Sequence, residues 1–294
     1  MQIALKRLKR TWIGYVFVSP WLILFCVFGF FPILYSLVLS LQEARVMQEP
    51  VWVGLYNFKY LLSDPTSDLW LTLRNTVIFV VVYIPVLLLL SLGMAYMLNR
   101  KLKFEVFWKT AVFMPLVTAG VVYAIMWSNM LSANGILNTL LNALGFDDNT
   151  LLTNIHTAMP TVAAIDALKN APYWTIIILT ALTSISTDLY ESATLDGATA
   201  YQKFRRITIP LISPTLYFML YMASIGAWNV FDQVFVLTKG GPANGTLTLN
   251  YYLFSIFSRG RIGLASAVGI IIGCLVLLTV MVLKRFVKSE NDYY

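Results

Sequence analysis

The sequence predicts an all-α integral membrane protein with six transmembrane helices. Both termini lie on the cytoplasmic side, and a structured two-helix loop joins the fourth and fifth helices. Three observations predict it. The 294 residues are 59% hydrophobic and only 12% charged, where soluble domains carry about 25% charged residues. That leaves too little polar surface to cover a globule of this size, so lipid is the solvent for most of the chain. The apolar residues fall in six long runs, and the cations gather at one set of run ends.

Span one runs through Trp12–Leu41, contains Pro20 and Pro32, and is long enough to be tilted or broken. Span two covers Thr72–Leu98 with Pro85 inside, and span three covers Val106–Met130 with Pro115. Span four reads as Ala171–Ile185. That is short of the roughly 20 residues a bilayer requires, so it begins upstream near Met159. Span five covers Pro214–Val236 and span six Leu264–Val287. Hydrocarbon offers backbone groups no partner, so the runs are helices, and their prolines are tolerable where neighbouring helices cover the freed carbonyls.

Charge sets the orientation. Lys6, Arg7, Lys9 and Arg10 precede span one, and Arg100, Lys101, Lys103 and Lys109 follow span two. Lys203, Arg205 and Arg206 lie between spans four and five, and Lys284, Arg285 and Lys288 end the chain. The opposite side carries Arg45, Lys59, Lys239, Arg259 and Arg261. The positive-inside rule places the first set, with both termini, in the cytoplasm.

Several function classes are disfavoured. The net charge of +7 sits beside apolar spans and does not suggest nucleic acid. Cys26 and Cys274 lie inside apolar runs and read as small apolar residues, with no disulfide or metal framework. His156, the one histidine, reads as a solvated loop residue. The chain has no P-loop pattern, no metal-ligand spacing and no nucleophile elbow, so no cofactor and no catalytic residue is expected. Nor does its start carry a signal-peptide cleavage site. Apart from Asp232 near the outer end of span five, no acid is expected inside a span, which argues against a proton-relay carrier.

Between spans four and five, Glu191–Pro214 reads ESATLDGATAYQKFRRITIPLISP. Asp188 with Glu191 reads as a helix start. A helix over Leu189–Leu195 follows, and Gly197 ends it. Thr199 with Gln202 starts a second helix through Tyr201–Ile207, and Lys203, Arg205 and Arg206 suit its end. Pro210 breaks it, and Ser213-Pro214 opens span five. Such a capped unit fits a docking element, or an ordinary amphipathic surface loop.

Glu191, Ala193, Asp196, Gly197, Ala198, Phe204, Ile207, Pro210 and Pro214 resemble the EAA loop of ABC importer permeases. Ser192 stands where that family usually has alanine. The resemblance implies a type I ABC importer permease fold whose loop, residues 188–212, is a coupling helix seated on a separate ATPase. It implies coupling roles for Glu191, Ala193, Leu195, Asp196, Gly197, Ala198 and Phe204. Glu191 would meet a basic group on the ATPase, and Gly197 would set the bend.

In span five, Tyr217, Tyr221, Ser224, Trp228 and Asp232 recur at helical spacing, with Asn229 and Gln233 beside them. Aromatic faces and side chains that both donate and accept suit sugars. The same stripe fits packing against a partner helix, with Tyr and Trp as an interfacial belt. Gly240-Gly241-Pro242 then turns the chain at the outer surface.

Asp232, Val236, Thr238, Gly240, Gly241, Pro242 and Thr246 resemble the sugar permeases of the maltose and glycerol-phosphate group. So do Val53–Phe58, Asn75-Thr76, Leu98–Arg100 and Phe113–Pro115. From Trp12 onward the chain resembles the first permease of such a pair, without the large outer insertion of the maltose member. The implied function is that of a non-enzymatic permease subunit for a carbohydrate, in a bacterial or archaeal inner membrane. Its implied partners are a second related permease, paired ATP-binding subunits, an extracytoplasmic solute-binding protein and membrane lipid. The alternatives are an importer of glycerol 3-phosphate or another polar solute, and an ion-coupled carrier.

Overall fold

Helix follows helix along the chain, and the one strand pairing among the described residues is a short antiparallel ribbon, Gln42–Glu43 with Val51–Trp52. The computed structural model describes residues 2–100, 103–132, 134–145 and 151–286, with only the backbone described for 2–11, 13, 14 and 286. Lys101, Val287 and Lys288 lie outside the described residues. Among the described residues five helices are long and apolar enough to cross a bilayer: Tyr15–Ser40, Leu69–Leu98, Ala158–Thr183, Ala200–Trp228 and Ile262–Arg285.

Span three departs from the expected continuous helix. It is a bent pair, Glu105–Val117 and Gly120–Met130, turning through 102°. Pro115 removes a backbone donor near the end of the first half. Thr118 and Ala119 then take extended ψ values of 129° and 140°, and Gly120 restarts the helix. Span four does begin upstream, at Ala158. That start encloses Asp166 and Lys169 in the helix, so the expectation of acid-free span interiors fails there.

Contrary to expectation, Pro210 does not break the second helix of the loop, and Ser213-Pro214 does not open a new one. Ala200–Lys203 leads through a π-helical turn, Phe204–Thr208, directly into the helix Ile209–Trp228, with Pro214 inside it. The wide turn makes room where the proline ring would press on the preceding carbonyls. Span one uses the same device at the same offset: the π turn Cys26–Phe30 precedes Pro32.

Span five ends at Trp228, short of the expected Val236, and a second helix runs over Asp232–Leu237. Asn229 Nδ2 donates to the Ile225 carbonyl at 2.8 Å. Such side-chain bonds compete with the helical ladder. Two other carbonyls at the break are also met by side chains. Asn250 Nδ2 donates to Trp228 O at 3.2 Å, and Thr248 Oγ1 donates to Val230 O at 3.3 Å.

The chain packs as two compact units, Met1–Ser67 with Leu253–Ile271 and Asp68–Tyr252 with Ile272–Tyr294. In the first, buried Asn57 fastens the end of span one: its Nδ2 donates to Ser40 O at 2.8 Å and Gln42 O at 2.9 Å. Gly263 donates to Ala44 O, and any Cβ there would lie 2.0 Å from Gln42 O, so only glycine fits.

In the second unit the helices Leu69–Leu98 and Ala158–Thr183 pack together along their lengths. Ala163, Ala167, Ala171 and Thr175 recur every four residues and are fully buried, as are Ser91 and Ala95 on the facing helix. Between helices in lipid no hydrophobic force acts, so close approach of small residues supplies the packing. Phe79, Leu87 and Ile178 fill the spaces between them.

Candidate functional site

Two sites emerge: a polar pocket in the second unit, and the loop between spans four and five. The pocket holds about 290 Å³ and is lined by Tyr83, Asp166, Asn170, Gly226 and the stretch Asn229–Gln233. Asn229 and Asp232 are exposed on either side of the break after Trp228. Beside the lining, Gly120 at the bend in span three lies close to Asp232: a Cβ added there would stand 3.4 Å from Asp232 Oδ2 and 3.6 Å from Lys169 Nζ. Asp166 and Asn170 are one turn apart on span four, and Asn170 Nδ2 donates to Asp166 Oδ1 at 3.0 Å. A site at the meeting of interrupted helices matches how membrane transporters build solute sites.

The stripe expected on span five divides. Asn229, Asp232 and Gln233 line the pocket. Ser224 and Trp228 are buried elsewhere: Ser224 Oγ donates to Leu220 O at 2.6 Å, and Trp228 Nε1 donates to Thr279 Oγ1 of span six at 3.0 Å. Tyr217 is exposed and Tyr221 half-buried, and neither lines the pocket. Sequence reasoning missed Tyr83, Asp166 and Asn170. The signal for two of them was available, since a span starting near Met159 carries Asp166 and Asn170 on one face. Among the described residues no three His, Cys, Asp or Glu side chains cluster as a metal site.

The loop is built largely as its sequence suggests. Its first helix is Thr187–Leu195, and the cap is Ser186, accepting from Asp188 N–H at 3.2 Å, rather than Asp188 itself. Asp188 falls in the first turn, where its charge suits the dipole. Gly197 takes φ +75°. Ala198 N–H donates to Ala193 O and Gly197 N–H to Thr194 O, both bonds of a Schellman motif. Thr199 and Gln202 form the full capping box.

Lys203 Nζ donates to Thr194 Oγ1 at 3.1 Å, tying the second helix back to the first. Phe204 is half-buried, its ring 5.3 Å from Tyr96, and the Arg100 guanidinium stands 5.0 Å over the same tyrosine. Glu191, Asp196 and Gly197 are exposed, Ala193 and Ala198 half-buried, and Leu195 is 90% exposed.

Residues 70–289 match the family model described as "Binding-protein-dependent transport system inner membrane component". The lactose transport system permease protein LacF of Rhizobium radiobacter is 36% identical over 251 residues, covering 84% of this chain and 83% of that one. The trehalose/maltose transport system permease protein MalF of Thermococcus litoralis is 32% identical over 288 residues, covering 97% of each. A solved bacterial alginate ABC transporter, in complex with alginate pentasaccharide-bound periplasmic protein, contains a similar chain. Its TM-score is 0.83 at 25% identity, covering 96% of both chains. With interrupted membrane helices around a polar pocket and this match over most of its length, the chain belongs to the family of binding-protein-dependent transport system inner membrane components.

Proposed function

We propose that this chain is one permease subunit of an ATP-driven ABC importer for a carbohydrate, acting as a single permease domain that forms half of the translocation path. The pocket carries the reading: amide, carboxylate and phenol groups beside Phe231 match the hydroxyls and apolar faces of a sugar. The sugars named for its relatives, lactose and trehalose/maltose, support the same class.

The loop, residues 188–212, is the coupling element. A large apolar side chain left 90% exposed at its tip, Leu195, with Glu191, Asp196 and Gly197 around it, suits a groove on a separate ATPase. Ala193 and Ala198 hold the bend, and Phe204 fastens the loop to span two through Tyr96. Both termini and this loop face the cytoplasm of a cell with an inner membrane, as the cation distribution supports. The partners are a second related permease, a dimer of ATP-binding subunits that carries the hydrolysis, an extracytoplasmic binding protein that delivers solute, and lipid. ATP binding closes the ATPases, the loop carries that motion into the helices, and the permease pair rocks between inward-open and outward-open states.

The test is uptake of a labelled oligosaccharide by the complex reconstituted in liposomes with its binding protein. Uptake is expected only with ATP and all partners present. Uptake by this chain alone without ATP would sink the proposal.

A further inference from the structure

We infer that the pocket selects against negative charge, admitting an uncharged polyhydroxylated solute and rejecting uronates, aldonates and phosphate esters. This rests on the carbohydrate reading and narrows it. Two carboxylates, Asp166 and Asp232, line the pocket with Asn170, Asn229, Gln233 and Tyr83, and among the described residues no Lys, Arg or His lines it.

A carboxylate accepts hydrogen bonds from two hydroxyls at once, and the amides both donate and accept. A vicinal diol therefore finds partners for both of its groups. An anionic group finds two carboxyl groups and, among the described lining residues, no cation.

Asp166 is buried and still holds spare capacity. Asn170 donates to its Oδ1, and no other described side chain donates to Oδ2. One cation, Lys169, stands nearby at the Gly120 bend with Asp232. It makes no ion pair within 4 Å with either carboxylate, since the ion pairs among the described residues are Arg45–Glu43 and Lys109–Glu105. The ionisable side chains lining the pocket are thus two carboxyl groups and a phenol, with one cation beside the lining.

The experiment uses the assembled complex in lipid nanodiscs with the binding protein omitted, so that the permease itself does the selecting. Binding is measured for two pairs matched in shape: lactitol against lactobionate, and maltitol against maltobionate. The native complex is expected to prefer each neutral member by about tenfold or more. In the double variant Asp166→Asn with Asp232→Asn, the preference is expected to fall to within about threefold because the acids bind better. Should the double variant fail to assemble, Asp232→Asn alone, at an exposed position, is expected to give an intermediate preference.

Equal binding of acid and neutral members to the native complex overturns the charge selection and leaves the carbohydrate reading standing. So does a preference that the variants do not change. Binding of neither member of either pair, together with no ATP-driven uptake of lactose or maltose when the binding protein is restored, overturns both.

Discussion

Trp228 and Asn229 are neighbours with opposite fates. Asn229 bonds the carbonyl four residues back and faces the pocket, while Trp228 turns inward and donates to Thr279 on span six. A buried tryptophan whose N–H is met within the chain is held as a packing element. Trp228→Phe keeps most of the buried area and removes one hydrogen bond, a loss of about 1 kcal/mol. Its expected result is a slightly lower melting temperature of the detergent-solubilised complex, with the KM for uptake unchanged. A raised KM at unchanged melting temperature would instead put Trp228 on the solute's route.

Among the elements, the loop between spans four and five is the most fully specified by local chemistry. Ser186 caps its first helix, Gly197 closes a Schellman motif, and Thr199 with Gln202 opens the second helix. Each of these bonds joins residues no more than five apart, so each could be read from adjacent residue types. Gly197 is the position where the left-handed backbone, φ +75°, requires glycine. Gly197→Val places a β-branched residue there, at about 1–2 kcal/mol, and it is relieved only by redirecting the second helix. The expected outcome is a subunit that inserts and assembles but imports several-fold less solute per ATP hydrolysed. An unchanged ratio would remove the bend from the coupling mechanism.

For the whole molecule, the orientation proposed from charge has a direct consequence. With Cys26 and Cys274 replaced by alanine and the chain expressed without its ATPase, a single cysteine at Leu195 is expected to react with impermeant maleimide only in inside-out vesicles. A cysteine at Asn244, on the turn after Gly240-Gly241-Pro242, is expected to react only in right-side-out cells; the reverse pattern would invert the topology. By itself the sequence determined the helical class, the six apolar runs and the capped loop, because each depends on composition or on residues within a turn of one another. Only the tertiary structure decided where the helices stop. The end after Trp228 draws on partners far along the chain, Asn250 for the Trp228 carbonyl and Thr248 for that of Val230. The pocket gathers side chains from spans two, four and five, which meet only once the helices have packed. No local spacing joins Tyr83 to Asp166 and Asp232, because the force that brings them together is close packing between helices, which acts across the fold and not along the chain.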